Sequence, residues 1–112
     1  MRFCTKSLRV IVTLLALAPL LLLAVVKGDA AKGKQVFASR CSGCHGESGE
    51  GKEAIGKMLG VTMPVLGSKE VQSLDDAALR RGIAEGKGKM KPVSLSEPEL
   101  TDVIAFLRTL KK

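Results

Sequence analysis

The sequence has no tryptophan and no tyrosine, and its aromatic content is three phenylalanines. A chain of 112 residues has room for one domain. With so few large side chains, that domain has a thin core, and domains of this kind usually need a staple such as disulfides, a metal or a cofactor. The missing Trp and Tyr, and the lack of clustered Arg, also argue against a nucleic-acid binder. The formal net charge of +7 does not restore that reading. Of it, +3 falls in the first thirty residues, leaving +4 for residues 31–112. Histidine occurs once, as His45, and cysteine three times, as Cys4, Cys41 and Cys44. A structural zinc site needs four ligands, usually two separated pairs, and this chain cannot supply them.

Long apolar runs are absent except for one, Val10 to Val26, interrupted only by Thr13 and Pro19. Arg2, Lys6 and Arg9 precede it with no acid among them, the pattern of an export signal. Gly28 and Ala30 are small residues in the right places for a cut after Ala30, so residues 1–30 are expected to be a signal and residues 31–112 the mature domain. The alternative is an uncleaved membrane anchor. A helix over this run reaches about 25 Å, short of the ~30 Å hydrocarbon core, and Pro19 weakens it further. On either reading the domain is expected in an oxidising compartment outside the cytoplasm, the periplasm or another extracytoplasmic space. Cys4 precedes the apolar run and leaves with a cleaved signal.

Cys41-Ser42-Gly43-Cys44-His45 is the stretch around which the rest is organised. Cys-x-x-Cys-His is the spacing of a c-type haem attachment site. Each thiol adds to one vinyl group and forms a thioether, and two intervening residues let one helical turn span the vinyl-bearing side of the ring. His45 then lies under the porphyrin face, where a ring nitrogen reaches the iron. Ser42 and Gly43 are small enough for close backbone approach. A thioredoxin-type Cys-x-x-Cys would need a βαβ setting, and no strand pattern flanks this one. A plain Cys41–Cys44 disulfide would leave His45 without a role. The expected cofactor is one covalent haem c, which also supplies the staple.

The remaining pattern is helical. Residues 30–41 read as a helix capped by Asp29, with Gly33, Val36, Phe37 and Arg40 on one side. Gly-rich residues 46–52 read as a loop, Glu53 to Leu59 as a short helix, and residues 68–73 as a further turn. Asp75 to Glu85 forms a helix capped by Asp75 and stopped by Gly86. Ser96-Glu97-Pro98-Glu99 has the capping-box form, and Leu100, Val103, Ile104, Leu107 and Leu110 follow at helical spacing with Phe106 beside them.

The second axial ligand decides what a haem does here. An open position allows gas binding or peroxide chemistry, whereas a filled one favours electron transfer. With no second histidine, the candidates are Met58, Met63 and Met90, since Met1 goes with the signal. Met90 is favoured. It is an apolar side chain between Lys89 and Lys91, in a loop that Gly86 and Gly88 free to fold inward.

On these residues, 31–112 resemble the class I c-type cytochromes, of the short bacterial monohaem kind. Gly33 and Phe37 match that family's N-terminal helix, and Val103 to Leu107 its C-terminal partner helix. Cys41 to His45 matches the haem motif, Gly86 to Met90 the distal loop, and Pro64-Val65-Leu66-Gly67 a family segment. The family usually has Pro directly after the axial Met, whereas here Lys91 intervenes before Pro92. The resemblance implies an all-α bundle of three to five short helices around one haem, with N- and C-terminal helices crossing. It implies His45 as proximal iron ligand, Met90 as distal ligand, and the Pro64 carbonyl as acceptor for the His45 ring. It implies a monomeric one-electron carrier, not an enzyme, between a membrane or periplasmic donor and an oxidase or reductase. Lys87, Lys89 and Lys91 are candidates to steer an acidic partner. The other expectations weighed are a small haem subunit of a larger redox enzyme, and a gas binder or peroxidase with a labile sixth ligand.

Overall fold

The computed structural model describes residues 27–112. The apolar run and Cys4 lie outside the described residues. Among the described residues six helices follow in order: α1 (Ala30–Arg40), α2 (Ser42–His45), α3 (Glu53–Leu59), α4 (Lys69–Gln72), α5 (Asp76–Glu85) and α6 (Glu97–Thr109). The count exceeds the expected three to five because the motif winds a separate four-residue turn, α2, beyond the helix expected over 30–41. Among the described residues the strand-like pairing is a single bridge, Lys87 with Met90. No helix among them is long and apolar enough to cross a membrane.

The helices begin where local side chains satisfy their free N–H groups. The Asp29 carboxylate accepts from Ala31 and Lys32, starting α1. Asp75 accepts from Ala78 at the head of α5. At α6, Ser96 Oγ accepts from the Glu99 N–H at 3.4 Å, and Glu99 Oε2 accepts from the Ser96 N–H at 2.8 Å. The capping box inferred from Ser96 and Glu99 is therefore formed.

The core is the crossing of α1 and α6. Phe37 and Val103 are its most enclosed side chains, and Leu100, Ile104, Phe106 and Leu107 complete it from α6. The Phe37 and Phe106 rings lie 5.1 Å apart, tilted by 55°. Such a pair contributes about 0.5–1.5 kcal/mol beyond its buried area. Leu79 and Ile83 bring α5 against the same cluster. The crossing is close because Gly33 faces α6, where a Cβ would overlap the Asp102 carbonyl.

Polar side chains tie the remaining pieces to α6. Arg108 donates to the carbonyls of Gln72 (3.0 Å) and Leu74 (2.6 Å) and to the Asp76 carboxylate (2.8 Å), locking the α4–α5 connection. The Gln72 amide donates to the carbonyls of Leu66 and Leu107, both at 2.9 Å. Arg80 on α5 reaches Glu97 and Thr101 on α6.

The capping box gives α6 a pH dependence. The backbone N–H of Ser96, and then its hydroxyl, hold the Glu99 carboxyl below the usual carboxylate range. A carboxyl whose folded pKa is depressed contributes stability above its unfolded pKa and loses it as pH falls through the folded one. Glu99→Gln should therefore flatten the acid limb of the stability profile and leave the neutral region less stable. Denaturant midpoints of both proteins from neutral pH down through the carboxylate range measure this; parallel profiles would refute it.

Candidate functional site

Chain direction changes at Cys41. Its N–H still closes α1 by donating to the Phe37 carbonyl at 2.8 Å, but its own φ of −125° ends the helix. Ser42 to His45 then wind one separate turn, fastened by Cys44 and His45 N–H bonds to the Cys41 carbonyl at 3.2 and 3.0 Å. The Ser42 hydroxyl donates back to the Ala38 carbonyl at 2.6 Å and holds this turn on the end of α1. The motif thus starts as the cap of α1 and continues as α2.

Gly46, with φ +79°, turns the chain out of α2, a conformation that favours glycine. The loop then comes back over the turn: Gly51 N–H donates to the His45 carbonyl at 2.7 Å, and Lys52 N–H to the Cys44 carbonyl at 3.1 Å. Glu50 folds across this loop, with Oε2 accepting from the Ser48 N–H at 2.9 Å. A bond from its own backbone N–H, and then that from Ser48, lower the Glu50 pKa. Leu66 and Leu110 close against Gly49 from the other side. Nothing in the motif's spacing announces this support, because the bonds of an irregular loop follow no period.

The three motif side chains are placed differently. Cys44 is exposed, Cys41 is half-buried against the core, and both thiols are free. Burial pushes the Cys41 thiol up, against the opposing pull of the Arg40 charge. Burial also lowers the His45 pKa, which keeps the imidazole neutral, as a metal ligand must be. His45 Nδ1 is buried without a hydrogen-bond partner. The expected bond from the His45 ring to the Pro64 carbonyl is therefore not made in this structure. Pro64 itself is exposed, and its carbonyl lies near Gly51, within 3.2 Å of where a Cβ there would stand.

Met90 arrives on another segment. Lys87 and Met90 pair through two backbone bonds of 3.1 and 2.9 Å, with Gly88 at φ +58° in the first central position of the turn. Gly86, at φ +78°, has no room for a Cβ beside Pro92 and the Met90 carbonyl. The segment is moored by the Val93 N–H to the Ile83 carbonyl at 2.8 Å. Arg40, next to Cys41, donates to the Ser94 carbonyl at 3.2 Å and so joins the residues after Met90 to the end of α1. The Met90 side chain is half-buried. Met63 packs against Gly51 and Gly56 beside the His45 loop, and Met58 is 73% exposed.

These residues fit a covalent haem. Two free thiols and an imidazole share one turn, and the buried Nδ1 is left with no protein partner of its own. Leu59, Val61 and Val65 stand exposed in the chain that follows the motif. The class that fold and site define is thus a small helical haem protein. Comparison with known proteins narrows it. The cytochrome c family model matches residues 30–111, and the chain belongs to that family. It is 33% identical over 93 residues to cytochrome c-554(547) of Halothiobacillus neapolitanus, covering 75% of this chain and 99% of that protein. It is 32% identical over 90 residues to thiosulfate dehydrogenase of Stutzerimonas stutzeri, covering 72% of this chain but only 27% of that one. Among solved structures, KustC0563 c-type cytochrome superposes with a TM-score of 0.60 at 25% identity, over 71% of this chain and 98% of that one. The protein carries covalently attached haem c and transfers electrons rather than acting as an enzyme.

Proposed function

We propose that this protein is an exported one-electron carrier whose haem is joined to Cys41 and Cys44, with His45 and Met90 as axial ligands. The observation that carries the assignment is the single turn that brings two free thiols together with a half-buried imidazole whose Nδ1 has no protein partner. The bound haem supplies the one-electron Fe(III)/Fe(II) couple. The chain's own contribution is to fix both ligand-bearing segments. The His45 turn is held by Gly51 and Lys52, and the Met90 turn by its own backbone pair and by Val93. A thioether favours ferrous iron and raises the potential, and burial raises it further. Segments held this way move little between oxidation states. In the haem-bearing protein, the Pro64 carbonyl is the acceptor for His45 Nδ1–H. Donor and acceptor are a membrane or periplasmic reductant and an oxidase or reductase, met transiently at the surface that Lys87, Lys89 and Lys91 make basic.

A second reading, a haem subunit or domain of a larger redox enzyme, is favoured by the match to about a quarter of thiosulfate dehydrogenase. Co-purification with a catalytic subunit separates it from a free carrier. For the ligands, the oxidised protein should show the sulfur-to-iron charge-transfer band near the red edge of the spectrum. A haem-bearing protein without that band has no thioether ligand, and the His/Met assignment fails.

A further inference from the structure

Gly28 and Asp29 precede α1, yet both are built into the α1–α6 crossing. The Asp29 N–H donates to Asp102 Oδ1 at 2.7 Å, a bond to a residue 73 positions away. The Asp29 carboxylate accepts from Ala31 at 2.9 Å and Lys32 at 3.1 Å, and its carbonyl accepts from Gly33 at 2.9 Å. Gly28 lies against α6 so closely that a Cβ would overlap the Thr101 carbonyl and stand 2.9 Å from the Ala105 side chain. Its smallness thus has a packing cause, and the pair Gly28 and Ala30 need not mark a processing site.

We infer that the mature protein keeps Gly28 and Asp29, so that export processing, where it occurs, cuts at the Lys27–Gly28 bond or upstream and not after Ala30. The folded domain then begins at Gly28, not at residue 31. A cut after Ala30 would remove the α1 cap and the Gly33 acceptor and leave the Asp102 carboxylate without the Asp29 N–H. It would also put a new ammonium, on Ala31, at the positive end of the helix dipole. These losses converge on the crossing that holds Phe37 against Phe106.

The test is the intact mass of haem-bearing protein matured from the full chain in a host that exports it and attaches haem. A chain starting at Gly28 or any earlier residue is expected. One starting at Asp29 or any later residue overturns the inference. A paired measurement uses two chains secreted behind the same unrelated signal, one starting at Gly28 and one at Ala31. The shorter should unfold at a temperature lower by about 5 °C. Equal midpoints would show that the clasp adds nothing and would also overturn the inference.

Discussion

Gly33→Ala is expected to cost this protein much of its stability, whereas Gly82→Ala should leave it slightly more stable. Both glycines sit inside helices, and by propensity alone each substitution would gain about 1 kcal/mol. The difference lies in what the new methyl group meets. At Gly33 it would overlap the Asp102 carbonyl and come within 2.9 Å of the Val103 backbone nitrogen. Backbone cannot turn aside as a side chain can, so α1 and α6 must part. Separating them loosens Phe37 and Val103, the two most enclosed side chains. Overpacking of a well-filled core costs about 1–3 kcal/mol, and a collision with backbone belongs at the upper end. Against a total stability of about 5–15 kcal/mol, that is a large share. At Gly82 a Cβ meets no protein atom within 4 Å, and the propensity gain stands. Denaturant midpoints of the two haem-bearing variants decide the matter. A Gly33→Ala protein as stable as the parent would show that the helix crossing is not fixed by this contact.

That contact was legible before any coordinates. The 3–4 spacing of Gly33 and Phe37, and the resemblance that paired them with Val103 to Leu107, placed a small residue opposite a partner helix. The caps were legible too, because Asp29, Asp75 and Ser96 with Glu99 act on N–H groups two or three residues away. Cys41, Cys44 and His45 were legible because their chemistry depends on spacing within one turn. What stayed hidden depends on long-range closure. Arg108 reads as an ordinary basic residue near a helix end, yet it binds three groups on the α4–α5 connection more than thirty residues away. Arg40 reaches Ser94 across 54 residues. No periodicity encodes either bond. Asp29 was read as a cap but not as a link to Asp102, since only the folded crossing brings the two together.

Met90→Ala should turn a protein that refuses carbon monoxide in its reduced form into one that binds it stoichiometrically, with a lower reduction potential. The structure makes this a clean experiment. The turn that presents Met90 is held by backbone bonds between Lys87 and Met90, by Gly86 against Pro92, and by Val93 on Ile83. None of these uses the Met90 side chain. Removing the thioether therefore leaves the loop in place and acts on the ligand position alone. The sulfur-to-iron band should vanish at the same time, while the unfolding midpoint of the oxidised protein falls only by the loss of one half-buried side chain and its bond to iron. Other outcomes are equally informative. A variant that keeps the band and still refuses carbon monoxide has its sulfur ligand elsewhere. Met63 is committed to packing against Gly51 and Gly56 beside the His45 loop, and Met58 points mostly into solvent. A parent protein that already binds carbon monoxide rapidly would mean a labile sixth position, and the Lys87–Met90 turn would then be a cover over a reactive site instead of a fixed support for a carrier.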